Sequence, residues 1–110
     1  MAINNKQLIL KYFNSWQRGD FKALRDSLHE NVEFDMNGNK IYGADSFIEM
    51  CKDGIKWQKV DLLDNVFEED KAALIYDGIT EKGALVRVAE IISIKKSLII
   101  KSYAAIVGEA

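Results

Sequence analysis

Apolar residues recur at spacings of three and four between Asn5 and Arg18, where Leu8, Ile9, Tyr12, Phe13 and Trp16 fall on one stripe of a predicted helix. Gly19 can take the left-handed conformation that ends it. Asp20 can then cap a second helix carrying Phe21, Leu24 and Leu28 at i, i+3 and i+7. Val32-Glu33-Phe34-Asp35-Met36 alternates, Asn37-Gly38 is the favoured type I′ turn pair, and Lys40-Ile41-Tyr42 returns as a short partner strand. Gly43 opens a third helix, in which Ser46 with Glu49 three residues on resembles a capping box and Phe47, Ile48, Met50 and Cys51 are apolar. Gly54 stops it.

Beyond the third helix, strands are predicted over 57–67, 72–80, 84–95 and 98–107, joined by connections short enough for hairpins, so they form an antiparallel meander. Leu98-Ile99-Ile100 and Ala104-Ala105-Ile106-Val107 are apolar on both faces. Such a sheet needs cover on both sides: the helices on one, and most simply a second copy of the chain on the other.

With 110 residues and 48% apolar content, the chain reads as a single domain over 1–110 that buries roughly 65% of its unfolded surface. The net charge of −2 comes from interspersed acids and bases, which gives no footprint for nucleic acid. No apolar run approaches the roughly 20 residues of a membrane span, and the start Met1-Ala2-Ile3 lacks the pattern of a leader, so a cytoplasmic protein without membrane contact is expected. One cysteine, Cys51, and one histidine, His29, make neither an internal disulfide nor a Cys/His zinc site; no metal or cofactor is expected. Arg18-Gly19-Asp20 has the letters of an adhesion motif, but a helix stop followed by a helix cap already explains the glycine and the aspartate.

The segment Tyr12-Phe13-Asn14-Ser15-Trp16-Gln17-Arg18-Gly19-Asp20, then Leu24, Leu28, Asn31-Val32-Glu33-Phe34, Tyr42-Gly43 before the third helix and Tyr103 in the last strand carry a likeness that covers nearly the whole chain. The chain resembles the nuclear transport factor two-like superfamily, SnoaL-like domain, which includes ketosteroid isomerases, polyketide cyclases and limonene epoxide hydrolase. The resemblance implies an α+β, cystatin-like cone of order ααββαββββ, with three helices packed on a curved, mainly antiparallel sheet. It also implies a pocket between the first helix, the third helix and the concave face, and a homodimer through the opposite face. Activity does not follow, because the superfamily hosts many.

By that resemblance Tyr12 stands where ketosteroid isomerases carry the tyrosine that donates to a developing enolate oxygen; otherwise it is a packed core tyrosine. The isomerase base falls on Met36, which cannot take a proton, while Asp35 is on the opposite face of a regular strand and, unless a bulge re-aims it, serves the strand or turn, so isomerase proton transfer is not expected. Arg87, within Leu85-Val86-Arg87-Val88-Ala89-Glu90, aligns with the isomerases' second acid and is expected to face the cavity and hold a carboxylate, or else to make an edge or dimer contact. Glu90 has the wrong parity to share that face. His29, near the end of the second helix, reads as solvent-facing, Cys51 as a small buried hydrophobe, and Trp57, like Trp16, as core in preference to a cavity mouth. The expected pocket is bordered by Tyr12, Trp16, Phe34, Met36, Phe47, Met50, Leu85, Arg87 and Ser102. It would bind a small apolar or amphipathic ligand without a complete catalytic constellation. The alternatives are a homodimeric interaction module whose cone is filled by its own side chains, or an isomerase, cyclase or hydrolase; cavity volume separates the first two.

Overall fold

The computed structural model describes residues 4–108, so the leader reading at Met1-Ala2-Ile3 lies outside the described residues. Helix α1 (Asn5–Arg18) begins at Asn4, whose side chain accepts from the Gln7 amide while the Gln7 side chain accepts from the Asn4 amide. Gly19 ends it at φ 71°, and Asp20 caps α2 (Phe21–Asp26) by accepting from the Ala23 amide. α2 is shorter than its apolar spacing predicts. Leu28 already starts β1 (Leu28–Met36), so His29 belongs to a strand and not to a helix end.

The Asn37-Gly38 turn, with φ of 50° and 90°, folds β1 onto β2 (Asn39–Tyr42). Helix α3 (Ala44–Asp53) starts at Gly43 with no side-chain cap, which corrects the Ser46–Glu49 capping box: the helix begins before Ser46. Four long strands follow: β3 (Trp57–Glu68), β4 (Lys71–Thr80), β5 (Leu85–Lys95) and β6 (Leu98–Gly108), each bounded within one residue of expectation.

The strand order is β2-β1-β6-β5-β4-β3, with β1 parallel to β6 and every other pair antiparallel. The chain is therefore an α+β cone: three helices packed against a curved, mixed but mainly antiparallel sheet. Leu8, Ile9 and Phe13 of α1, Leu24 of α2 and Phe47 and Ile48 of α3 are buried with Leu74, Val86, Ile92 and Ile99 of the inner face. Phe34 and Phe47 stack nearly parallel at 3.7 Å between ring centroids, tying β1 to α3. No helix among the described residues is long and apolar enough to cross a membrane.

On β4, Gly78 matters for what it lacks. A Cβ there would run into ring atoms Cζ3 and Cε3 of Trp57, so glycine lets the indole pack directly against the strand. Gly78→Ala is expected to cost about 1–3 kcal/mol of stability through overpacking and to alter tryptophan emission. Unchanged urea midpoint and spectrum would show that the ring has room to shift.

Candidate functional site

The inner face of the sheet, α1 and α3 enclose a cavity of about 220 Å³. The phase of α1 places Tyr12 and Trp16, one turn apart, on its wall; α3 supplies Phe47, Met50 and Cys51. Met36 of β1, Trp57 of β3, Tyr76 of β4, Val88 of β5 and Ala104 and Ile106 of β6 complete the sheet side, and the exposed Ile55 stands beside Gly54 at the edge. Trp16, Met36 and Met50 form walls and do not plug the space.

One charged residue lines this cavity, Glu90, and it is 2% exposed. Its carboxylate collects three hydroxyls from three elements. Tyr12 donates to Oε2 at 2.6 Å, Ser102 to Oε2 at 2.7 Å and Tyr76 to Oε1 at 3.0 Å. Burial pushes the Glu90 pKa up, and the hydrogen bonds from Tyr12, Ser102 and Tyr76 oppose the shift without cancelling it. Tyr12 and Tyr76 are also raised well above the phenol value, by burial first and then by the nearby Glu90 charge. The Cys51 thiol, half-buried, is pushed up to about 12 by burial and by Glu90, so it is a neutral wall group and no nucleophile. The indole Nε1 of Trp16 is buried without a hydrogen-bond partner.

The expectation that Arg87 faces the cavity is corrected. On β5, Val86, Val88, Glu90 and Ile92 point inward and Leu85, Arg87, Ala89 and Ile91 point outward. Arg87 is paired across the strands with Asp77 through Nε–Oδ1 and Nη2–Oδ2 contacts of 2.6 and 2.8 Å, on the outer face. That hydrogen bonding, before the charge attraction, holds the Asp77 pKa below its usual value. Residues 87 and 90 lie on opposite faces as their parity predicts, but the faces are exchanged: the acid is the one inside. Leu85, 62% exposed, is likewise outside the site. Phe34 sits behind Phe47 in the core, and Ser102 reaches the site only through its bond to Glu90. Asp35 is used in the hairpin, accepting from the Gly38 amide.

Glu90, Tyr76, Cys51 and the cavity role of Trp57 were absent from the expected pocket. The available signal was two opposite charges at odd separation in one apolar strand, with an aspartate and a tyrosine side by side on another, Tyr76-Asp77: one face takes the ion pair and the other the phenol-bound acid. No group of three His, Cys, Asp or Glu side chains among the described residues is placed to hold a metal ion.

No family model and no curated protein matches the sequence. Solved structures do match in fold. A candidate ketosteroid isomerase from Kribbella flavida superposes with a TM-score of 0.87 over 96% of this chain and 78% of that one, at 14% identity. An NTF2-like protein of unknown function from Cytophaga hutchinsonii gives 0.82 over 99% and 93%, at 17% identity. A candidate polyketide cyclase from Sinorhizobium meliloti gives 0.79 over 93% and 99%, at 16% identity. The chain thus has the NTF2-like, cystatin-like fold, and at these identities the likeness speaks for the fold alone.

Because the Glu90 pKa is raised above its usual 4.5, the native state keeps a proton that the unfolded chain has released, and stability falls as pH rises from that value through the raised one. Glu90→Gln is expected to flatten this fall in urea midpoints taken from about pH 4.5 to about pH 8. Parallel curves for both proteins would mean that Glu90 titrates normally.

Proposed function

We propose that this chain binds a small, largely apolar molecule inside the cone, with one polar group of that molecule reaching the Glu90 cluster. The observation that carries this reading is a buried carboxylate with three hydroxyls on the wall of an otherwise apolar, unfilled cavity. A chain that used the cone only as packing gains nothing from such a group, since burying an ion costs several kcal/mol and an apolar side chain of similar volume is often as stable or more so. An apolar cavity of about 150 Å³ takes up benzene. The 220 Å³ here therefore suits a single ring with a short arm, below the roughly 300–1,000 Å³ of sites for drug-sized ligands. Proton transfer of the isomerase kind is not part of this reading, because Met36 lines the cavity where a base is required and Asp35 serves the turn.

Trp16 and Trp57 both line the cavity and report its filling. Ethylbenzene is expected to shift tryptophan emission and raise the melting temperature. Ala104→Phe, which fills the space from β6, should remove both effects, whereas Arg87→Met should leave them intact. An emission spectrum and melting temperature indifferent to ethylbenzene in the unmodified protein would favour the self-filled interaction module.

The same reading includes a homodimer. The outer face exposes Leu85, Ile91, Tyr103 and Val107, at 49–70% of their surfaces, on neighbouring strands β5 and β6. A second copy with the same strip is a self-complementary cover, and a stable pair needs about 800 Å² from each partner. Sedimentation equilibrium at micromolar concentration is expected to give a dimer, and Ile91→Lys with Val107→Asp a monomer. A monomer before mutation would refute the assembly.

A further inference from the structure

We propose that the ligand class this cavity selects is a small hydrophobic amine, bound as its ammonium ion against the Glu90 carboxylate. This rests on the reading of the cone as a small-molecule pocket and adds which polar group fits. The first argument is an inventory of protons. Tyr12, Ser102 and Tyr76 each own one hydroxyl proton, and all three are spent on Glu90. What the cluster with Glu90 ionised still offers is lone pairs: one acceptor position on Oε1, which takes a single bond where Oε2 takes two, and the phenol oxygens. A cluster of acceptors calls for a ligand that donates.

The second argument is charge. Among the described residues no lysine, arginine or histidine lines the cavity, and Arg87 is committed to Asp77 on the opposite face. An ionised Glu90 is stabilised by hydroxyl dipoles but has no counter-ion in the wall, and an ammonium group would supply one. The third argument is the wall itself. The rings of Tyr12, Trp16, Phe47, Trp57 and Tyr76 surround the space, with Trp16 5.9 Å from Trp57 and 5.6 Å from Tyr76 between centroids. Aromatic faces attract cations, and do so more strongly where water is excluded.

A neutral carbonyl ligand is the competing chemistry. It would need Glu90 protonated, so that the extra proton frees a phenol to donate, or it would need the unpartnered Nε1–H of Trp16. The two chemistries respond oppositely to pH. The titratable groups facing Glu90 are Tyr12 from α1, Tyr76 from β4 and Cys51 from α3, all raised and neutral near pH 7, so the carboxyl alone changes charge there. An ammonium ligand expels the Glu90 proton, and its affinity climbs as pH rises through the carboxyl's pKa. A carbonyl ligand keeps that proton, and its affinity declines.

The test is calorimetric titration with matched probes: phenethylamine, phenethyl alcohol, propiophenone, phenylacetate and ethylbenzene, in buffers of different ionisation enthalpy to count protons. Phenethylamine is expected to bind at least about tenfold more tightly than the alcohol or the ketone, phenylacetate most weakly, because a buried charge is matched only by its opposite. Proton release on amine binding below the Glu90 pKa, and loss of the amine's advantage in Glu90→Gln, complete the expected result. Should that variant not fold, the proton count on the unmodified protein decides. Propiophenone or phenethyl alcohol binding as well as the amine would overturn the proposal and leave the pocket reading standing. Failure of every probe, ethylbenzene included, would remove the pocket reading as well.

Discussion

The rest of this structure depends on the burial of one carboxyl group. Glu90 lies in the middle of β5 on the inner face, and its oxygens are reached from α1, β4 and β6 by Tyr12, Tyr76 and Ser102. An uncompensated charge there would cost several kcal/mol. Hydrogen bonds to a charged group return about 1.5–3 kcal/mol each, so the three of them offset much of the burial but not all of it, and the Glu90 pKa stays raised. The arrangement constrains the fold: it fixes the rotation of α1, and it rules out a one-residue slip of β4 or β6, which would turn Tyr76 or Ser102 to the outer face.

The two faces of β5 divide the work of the sheet. Inside, Glu90 has hydroxyls for partners; outside, Arg87 has Asp77, in a bidentate pair exposed to water, where an ion pair adds little stability. The apolar strip around that pair, from Leu85 to Val107, is left uncovered on the outer face. Inward-facing residues thus define a pocket and outward-facing ones a surface, and chemistry read from one cannot be transferred to the other. The fold, shared with proteins at 14–17% identity, fixes the frame of the cone but not its lining.

The cavity persists because small residues stand where large ones would close it. Gly54 and Ala104 lie on its boundary, and Gly78 allows Trp57 to lie against β4 instead of projecting into the space. The aromatic stack of Phe34 on Phe47, with Tyr12 beside both, forms a packed layer behind the pocket. The core is therefore dense on one side of Tyr12 and open on the other, and Tyr12 is a core residue and a pocket residue at once.

The element order, the Asn37-Gly38 hairpin, the Gly19 stop with its Asp20 cap and the ends of the four long strands were legible in the sequence, because each depends on contacts within a few residues along the chain. Tyr12, Trp16, Met36, Phe47 and Met50 could be placed near a common space through the family resemblance, with helix and strand periods fixing only which side of its own element each one occupies. The short α2 escaped because Leu28 is taken into β1, and the start of α3 escaped because Gly43 opens it without a side-chain cap. The face that β5 turns inward was not legible either. Leu85-Val86-Arg87-Val88-Ala89-Glu90-Ile91-Ile92 is apolar on both sides with one charge on each, so alternation alone leaves the choice between them open. Only the tertiary structure decided it: Asp77 stands opposite Arg87 across the ladder, and three hydroxyls from distant parts of the chain converge where Glu90 points. The sense of a strand that could be buried on either face is set by its partners, and those lie between 10 and 78 residues away.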